Sequence, residues 1–196
     1  RDVVRNVKPT ALIGVTGLGG SFEPDLLKTM SENAKLPVIM PLSNPTDKAE
    51  CTPQSAIEAT GGNCLVATGS PFAPVEYSGK TIPIAQCNNL YIFPGVGLGA
   101  LISGTQKVTD EMFMAAAAVL PDAIQAEALE QGQLLPSIKA VREVSAQVAL
   151  AVAVQAREQG LGERAPDDEL AAKIQQQMWT PDYLPYIVPQ PGENRF

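Results

Sequence analysis

The chain has no histidine in 196 residues, only one tryptophan and only three cysteines. Without histidine, no Ser-His-Asp or Cys-His arrangement can form within it. Cys51, Cys64 and Cys87 are odd in number and show no CxxC spacing. That pattern fits free thiols in a reducing compartment, packed as small hydrophobes. Basic residues are also scarce: 14 against 21 acidic ones give a formal charge of −7, with no offsetting Lys/Arg run. This argues against a surface that tracks nucleic-acid phosphates. The longest apolar stretches are far short of a membrane span, and no secretory apolar segment is visible. The expected setting is cytoplasmic, with the mitochondrial matrix as the alternative, and with neither nucleic acid nor membrane as partner.

What remains is an ordinary globular composition, 45% hydrophobic with a mean hydropathy of +0.02. The length supports one sizeable core. The chain begins at Arg1 and within ten residues enters a strand-like run, so we read it as a piece of a longer protein.

Residues 1–8 read as a helix end. TALIGV (10–15), PVIMPL (37–42) and CLVAT (64–68) are apolar throughout and end in turn residues. Between them, helices are expected over 23–34, with Pro24 in the first turn, and from Pro53 to about Ala59. Uniformly apolar strands separated by helices describe a parallel sheet covered on both faces. Ligands of such sheets bind beyond the carboxyl ends of the strands. The loops after Val15, Leu42 and Thr68 are therefore the ones to watch. Residues 75–89 show little periodicity. LYIF (90–93) is a candidate fourth strand or an extended lead-in, followed by a small-residue helix from Pro94. Beyond Val108 the chain turns helical. Thr109 is a candidate cap, Pro121 a break or kink, 138–159 a long and widely apolar helix ending at Gly160, and DDELAAKIQQQMW a last helix. Such a helix as 138–159 should be buried against the sheet or a partner. A Pro-rich extended tail follows from 180. Residues 1–107 and 108–196 form the two expected regions.

Gly95-Val-Gly97-Leu-Gly99-Ala100 satisfies GxGxxA, a dinucleotide fingerprint. Three features weigh against that role. Pro94 removes a donor, no strand with a terminal acid follows at the usual distance, and the next segment is helical. Close helix–sheet packing is the simpler reading. GVTGLGG (14–20) also follows a strand but lacks the full spacing.

Two segments carry asparagine where an apolar stretch meets a turn: PLSNPTDKAECTP around Asn44, and QCNNLYIFPGVGLG around Asn88 and Asn89. A carboxamide donates and accepts without charge, which suits orientation of a carboxylate or a nicotinamide amide. Pro45 biases Asn44 away from the helical region. On spacing alone, both segments read first as plain turns. Asp167-Asp168-Glu169 reads as a solvated helix start, and Tyr77, Tyr91, Tyr183 and Tyr186 as packing residues.

In order along the chain, KPTALIGVTG, PVIMPLSNPTDKAECTP, GNCLVATGSPFAPV, CNNLYIFPGVGLGAL and VTDEMFMAAA resemble the C-terminal part of malic enzyme. The closing MWTPDY is similar as well. The resemblance implies the second half of a cofactor domain plus C-terminal helices. That means an α/β fold with a partial Rossmann-like parallel sheet, flanking helices and a helical extension. It implies that Asn44 lies at the nicotinamide and malate, with Ser43 beside it at the cofactor. Asn88 and Asn89 match the pair that contacts malate and the nicotinamide end. Val15, Thr16 and Gly17 match the strand-end loop along the dinucleotide, with Thr16 where alanine is frequent.

The cofactor so implied is NAD, with NADP possible, together with Mn²⁺ or Mg²⁺ bound outside this chain. The family's tyrosine acid, lysine base, malate-holding arginine, metal carboxylates and phosphate-binding glycine loop all match earlier sequence. No catalytic residue or metal ligand is assigned here, and the isolated chain is expected to be inactive. The implied reaction is lysine-assisted hydride transfer from malate, metal-stabilised loss of CO₂, and protonation by the tyrosine to give pyruvate. The implied partners are malate and pyruvate, the rest of the parent chain, and further copies in a dimer or tetramer. Two alternatives stand beside this: an autonomous nucleotide-binding module using Gly95–Ala100, and an oligomerisation or interaction fragment built on the 138–159 helix.

Overall fold

The structure is a computed structural model and describes residues 2–183. Helix α1 (Asp2–Val7) leads through Lys8-Pro9 into strand β1 (Ala11–Gly14). Helix α2 (Pro24–Asn33) starts on Pro24, whose missing N–H would have no intrahelical partner anyway. Asp25 in its first turn complements the helix dipole. Strand β2 (Val38–Pro41) follows, and then helix α3 (Pro53–Ala59), capped by the Thr52 hydroxyl, which accepts from Ser55 N–H at 3.1 Å. Strand β3 (Leu65–Thr68) leads to an antiparallel hairpin, β4 (Val75–Tyr77) and β5 (Lys80–Ile82), and then to the short strand β6 (Ala85–Gln86).

The main sheet has the order β1-β2-β3-β6, and every pair in it is parallel. Leu12, Ile39 and Val66 stand side by side in register. They pack with Leu27 of α2 and Ile57 of α3 in one cluster. Ile13, in register with Met40, points the other way by the alternation of strand side chains, and it is 59% exposed. On this second face the expected cover is partial within the chain: Ile13 of β1 is open, whereas Ala67 of β3 is fully buried. β1 is also an outer strand.

The second half is helical. Helix α4 (Phe93–Ser103) is followed by α5 (Asp110–Asp122), with Thr109 accepting from Met112 N–H as its cap. Pro121 lies in the last turn of α5, which ends one residue later. A short α6 (Ala126–Glu130) precedes α7 (Val141–Glu158) and α8 (Asp167–Gln177). Helix α7 is the centre of this half. Val144, Val148, Val152 and Ala156 pack with Tyr91, Val96, Met112 and Ala116, while Ala153 packs with Leu170 of α8. A helix enclosed by three others is apolar around most of its circumference.

Three expectations change. LYIF is no strand: Asn89–Tyr91 form a 3-10 turn and Phe93 already begins α4. The capping Asn88 before the run and Pro94 within the first turn convert an apolar segment into a helix start. Second, α4 packs on α7, not on the sheet. A Cβ at Gly95 would lie 2.5 Å from Val148 Cγ1, and one at Gly99 would lie 2.5 Å from the Ala149 carbonyl oxygen. GxGxxA here is a helix–helix contact. The same packing corrects α7, which is buried by helices and not by the sheet. Third, Tyr183 is fully exposed, and Trp179 is exposed beyond the end of α8. Most of the expected extended tail, with Tyr186, lies outside the described residues. No helix among the described residues is long and apolar enough to cross a membrane.

Candidate functional site

Four parallel strands send their following loops to one edge of the sheet. Val15, Thr16 and Gly17 follow β1, Ser43 and Asn44 follow β2, Gly69 and Ser70 follow β3, and Asn88 and Asn89 follow β6. The topology thus brings all seven residues singled out in the sequence to the carboxyl edge, where ligands of open α/β sheets bind. A parallel strand over 90–93 would have placed Asn88 and Asn89 at the opposite, amino edge. Because β6 comes before them, they stand on the same edge as Asn44.

The three amides differ in what they have left to offer. Asn44 is exposed, precedes a cis peptide bond to Pro45, and accepts from the Ser70 hydroxyl at 2.5 Å through Oδ1. Its Nδ2 donors have no partner among the described residues. The Asn88 Oδ1 accepts from Leu90 N–H at 3.1 Å and caps the 3-10 turn. Asn89 is exposed, and its side chain makes no hydrogen bond among the described residues. Asn44 and Asn89 are therefore the better-equipped pair for a ligand, and Asn88 orders the turn that presents its neighbour.

The group that sequence reasoning missed is Glu50. An acid in the loop TDKAECTP reads as solvated, yet its relative exposure is 0%. Oε1 accepts from Thr16 N–H at 2.7 Å, from the Thr16 hydroxyl at 2.8 Å and from the Ser43 hydroxyl at 2.5 Å. Oε2 accepts from Ser43 N–H at 3.3 Å. Burial alone pushes the carboxyl pKa up, but the bonds from Ser43 and Thr16 outweigh it and hold it down at about 2. The only signal in the sequence is its position between Ala49 and Cys51, two small residues that are also buried.

The ordinary glutamate value is about 4.3, so the unfolded chain takes up this proton before the folded one does. Stability from Glu50 is complete above about pH 4.3 and is lost as pH falls through 2, by on the order of 2–3 kcal/mol. Urea unfolding of Glu50→Gln should accordingly show a shallower loss of stability between pH 5 and 2 than the wild type. Equal slopes would mean that Glu50 is not the depressed acid.

The cysteines have no such activation. Burial raises all three thiols, Cys51 to about 12, with Cys64 and Glu50 nearby adding to the effect there. They are free, and as neutral thiols they are poor nucleophiles at neutral pH. Among the described residues no group of three or more His, Cys, Asp or Glu is placed to hold a metal ion. The residues present do not fit Mn²⁺ or Mg²⁺, and no step is derived through either.

An open parallel sheet, flanking helices and a ligand edge lined by neutral amides define a Rossmann-like α/β protein of the dinucleotide-binding class. The family description "Malic enzyme, NAD binding domain" matches residues 1–157, and the chain belongs to that family. It is similar to the NAD-dependent malic enzyme of Sodalis glossinidius, 46% identical over 186 residues, covering 95% of this chain and 33% of that protein. The NAD-dependent malic enzyme of Acinetobacter baylyi is also 46% identical, covering 94% of this chain and 33% of its own. Among solved structures, Entamoeba histolytica malic enzyme superposes with a TM-score of 0.70 at 26% identity, over 87% of this chain and 33% of that one. The malic enzyme of Pyrococcus horikoshii gives 0.65 at 28% identity, over 85% and 34%. The chain thus spans about a third of the length of the curated relatives it matches.

Proposed function

We propose that this chain supplies the edge that orients cofactor and substrate in an NAD-dependent malic enzyme, which converts malate to pyruvate and CO₂. One observation carries the reading. Val15–Gly17, Ser43–Asn44 and Asn88–Asn89 share the carboxyl edge of a parallel sheet in a chain matching the NAD-binding domain family over 1–157. The edge suits a nicotinamide ring. Val15 is 78% exposed at the end of β1, next to a turn at Gly17 with φ +69° and beside uncharged amide donors. NAD would supply the hydride acceptor. Asn44 and Asn89 would donate to malate and to the carboxamide, holding donor carbon and ring together, a proximity contribution. Acid, base and metal chemistry would come from the rest of the parent protein. Mn²⁺ or Mg²⁺ would bind there, as a Lewis acid. The outer edge of β1 and the exposed Ile13 face are where that remainder would continue and cover the sheet. A homo-oligomer in the cytoplasm or mitochondrial matrix is in keeping with this reading.

Asn44→Ala in the full-length protein is expected to lower kcat/KM for malate by about 10- to 100-fold, the loss of a hydrogen bond to a charged group. NADH formation from malate measures it, and unchanged kinetics would remove Asn44 from the site. The isolated chain is expected to form no NADH from malate; clear turnover would overturn its assignment as one wall of a larger site.

A further inference from the structure

We propose that Glu50 is a positioning residue that holds the loops after β1 and β2 in the relative placement a dinucleotide needs; this rests on the function proposed above. One carboxylate gathers four donors from two loops: Thr16 N–H and hydroxyl from the first, Ser43 N–H and hydroxyl from the second. The Ser43 hydroxyl also accepts from Gly17 N–H at 2.9 Å. A continuous path therefore runs from Gly17 N–H through the Ser43 hydroxyl to Glu50 Oε1.

The segment is anchored by backbone as well. Phe22 N–H donates to the Glu50 carbonyl at 2.9 Å, and Gly20 N–H to the Ala49 carbonyl at 3.1 Å. A Cβ on Gly14 would lie 2.6 Å from Glu50 Cδ, so the end of β1 is shaped to the carboxylate. No lysine or arginine pairs with Glu50 among the described residues. Its charge is balanced only by hydrogen-bond donors, and those donors belong to Thr16 and Ser43, two of the residues assigned to the cofactor. A buried anion without a cation is costly. Here its fully bonded state sets the conformation of both loops.

The two conservative variants separate reach from charge. Glu50→Asp keeps the charge but withdraws the carboxylate by one methylene, out of reach of one loop. Glu50→Gln keeps the reach and Oε1, but sets an NH₂ against Ser43 N–H. Two measurements on the full-length enzyme form the test. Amide hydrogen exchange at Thr16, Gly17 and Ser43 should accelerate at least tenfold in Glu50→Asp, and less in Glu50→Gln, with exchange in α7 unchanged. KM for the cofactor should rise about tenfold in Glu50→Asp with kcat within about threefold of wild type, and Glu50→Gln should recover most of that loss. Folded variants with unchanged exchange at these three amides would overturn the proposal, as would faster exchange with an unchanged cofactor KM. If Glu50→Asp does not fold, exchange in Glu50→Gln decides alone: it should still accelerate at Ser43, whose N–H then faces an NH₂, and no acceleration there would overturn the proposal. Absence of malate turnover in the wild type would instead sink the proposed function, while the exchange result would still report whether Glu50 holds the loops.

Discussion

Gly99→Ala is expected to destabilise the helical half by about 3 kcal/mol or more, while Gly97→Ala, two residues away, stabilises it by about 0.5–1 kcal/mol. The chemical change is the same at both positions, so the difference isolates packing. A methyl at Gly99 would lie 2.5 Å from the Ala149 carbonyl oxygen and 2.8 Å from Val152 Cβ. Neither atom can give way without moving α7, which carries the core of this half. A methyl at Gly97 would meet nothing within 4 Å, so only the gain in helix propensity remains. Urea unfolding followed by circular dichroism measures both. Equal effects would mean that α4 and α7 are not in contact at Gly99. The pair also decides the fate of GxGxxA. A pyrophosphate cradle would lose NADH binding on Gly97→Ala in a folded protein, whereas a helix–helix contact would keep it.

That contrast shows where the sequence could be read and where it could not. Strands β1, β2 and β3 are legible because each is a short apolar run closed by glycine, proline or serine, and their helices announce themselves through Pro24 and Thr52-Pro53. β6 is two residues long, Ala85-Gln86, too short for any periodicity. LYIF, next to it, looks more like a strand than the strand does. Its conformation is decided by Asn88 and Pro94, which flank it, and not by its own hydrophobicity. The glycines of α4 satisfy two readings because a tight approach to a phosphate and a tight approach to a helix both require a missing side chain. Only the partner separates them, and the partner, α7, lies about fifty residues further along the chain. Glu50 is hidden for a related reason. Its donors on the β1 loop are more than thirty residues away, and nothing local distinguishes a buried acid from a solvated one. The amides were legible as candidates through their ordered neighbours. Their sharing of one edge depended on the parallel topology.

Gly69→Ala is expected to have the largest effect of any single methyl at the ligand edge. Its Cβ would fall 2.1 Å from the Leu42 carbonyl oxygen and 2.7 Å from the carbonyl carbon. Both are backbone atoms, so no rotamer change relieves the overlap. Gly69 cannot retreat either, since its N–H donates to the Pro41 carbonyl at 3.1 Å and its own carbonyl accepts from Gln86 Nε2 at 3.2 Å. The loops after β2 and β3 must separate, at an expected loss of at least about 3 kcal/mol. Because Ser70 is adjacent to Gly69 and donates to Asn44 Oδ1, the same displacement frees the Asn44 amide. Ser70→Ala provides the matching control. It removes only that hydrogen bond, so stability should fall by about 1 kcal/mol. The Asn44 amide then loses the contact that fixes which end is oxygen and which is nitrogen. In the full-length protein, Ser70→Ala should raise the KM for malate or cofactor severalfold while Tm moves by only a few degrees. A Ser70→Ala enzyme with wild-type kinetics would mean that Asn44 is oriented by the ligand itself. A Gly69→Ala protein as stable as wild type would mean that the two loops do not approach as closely as the sheet places them.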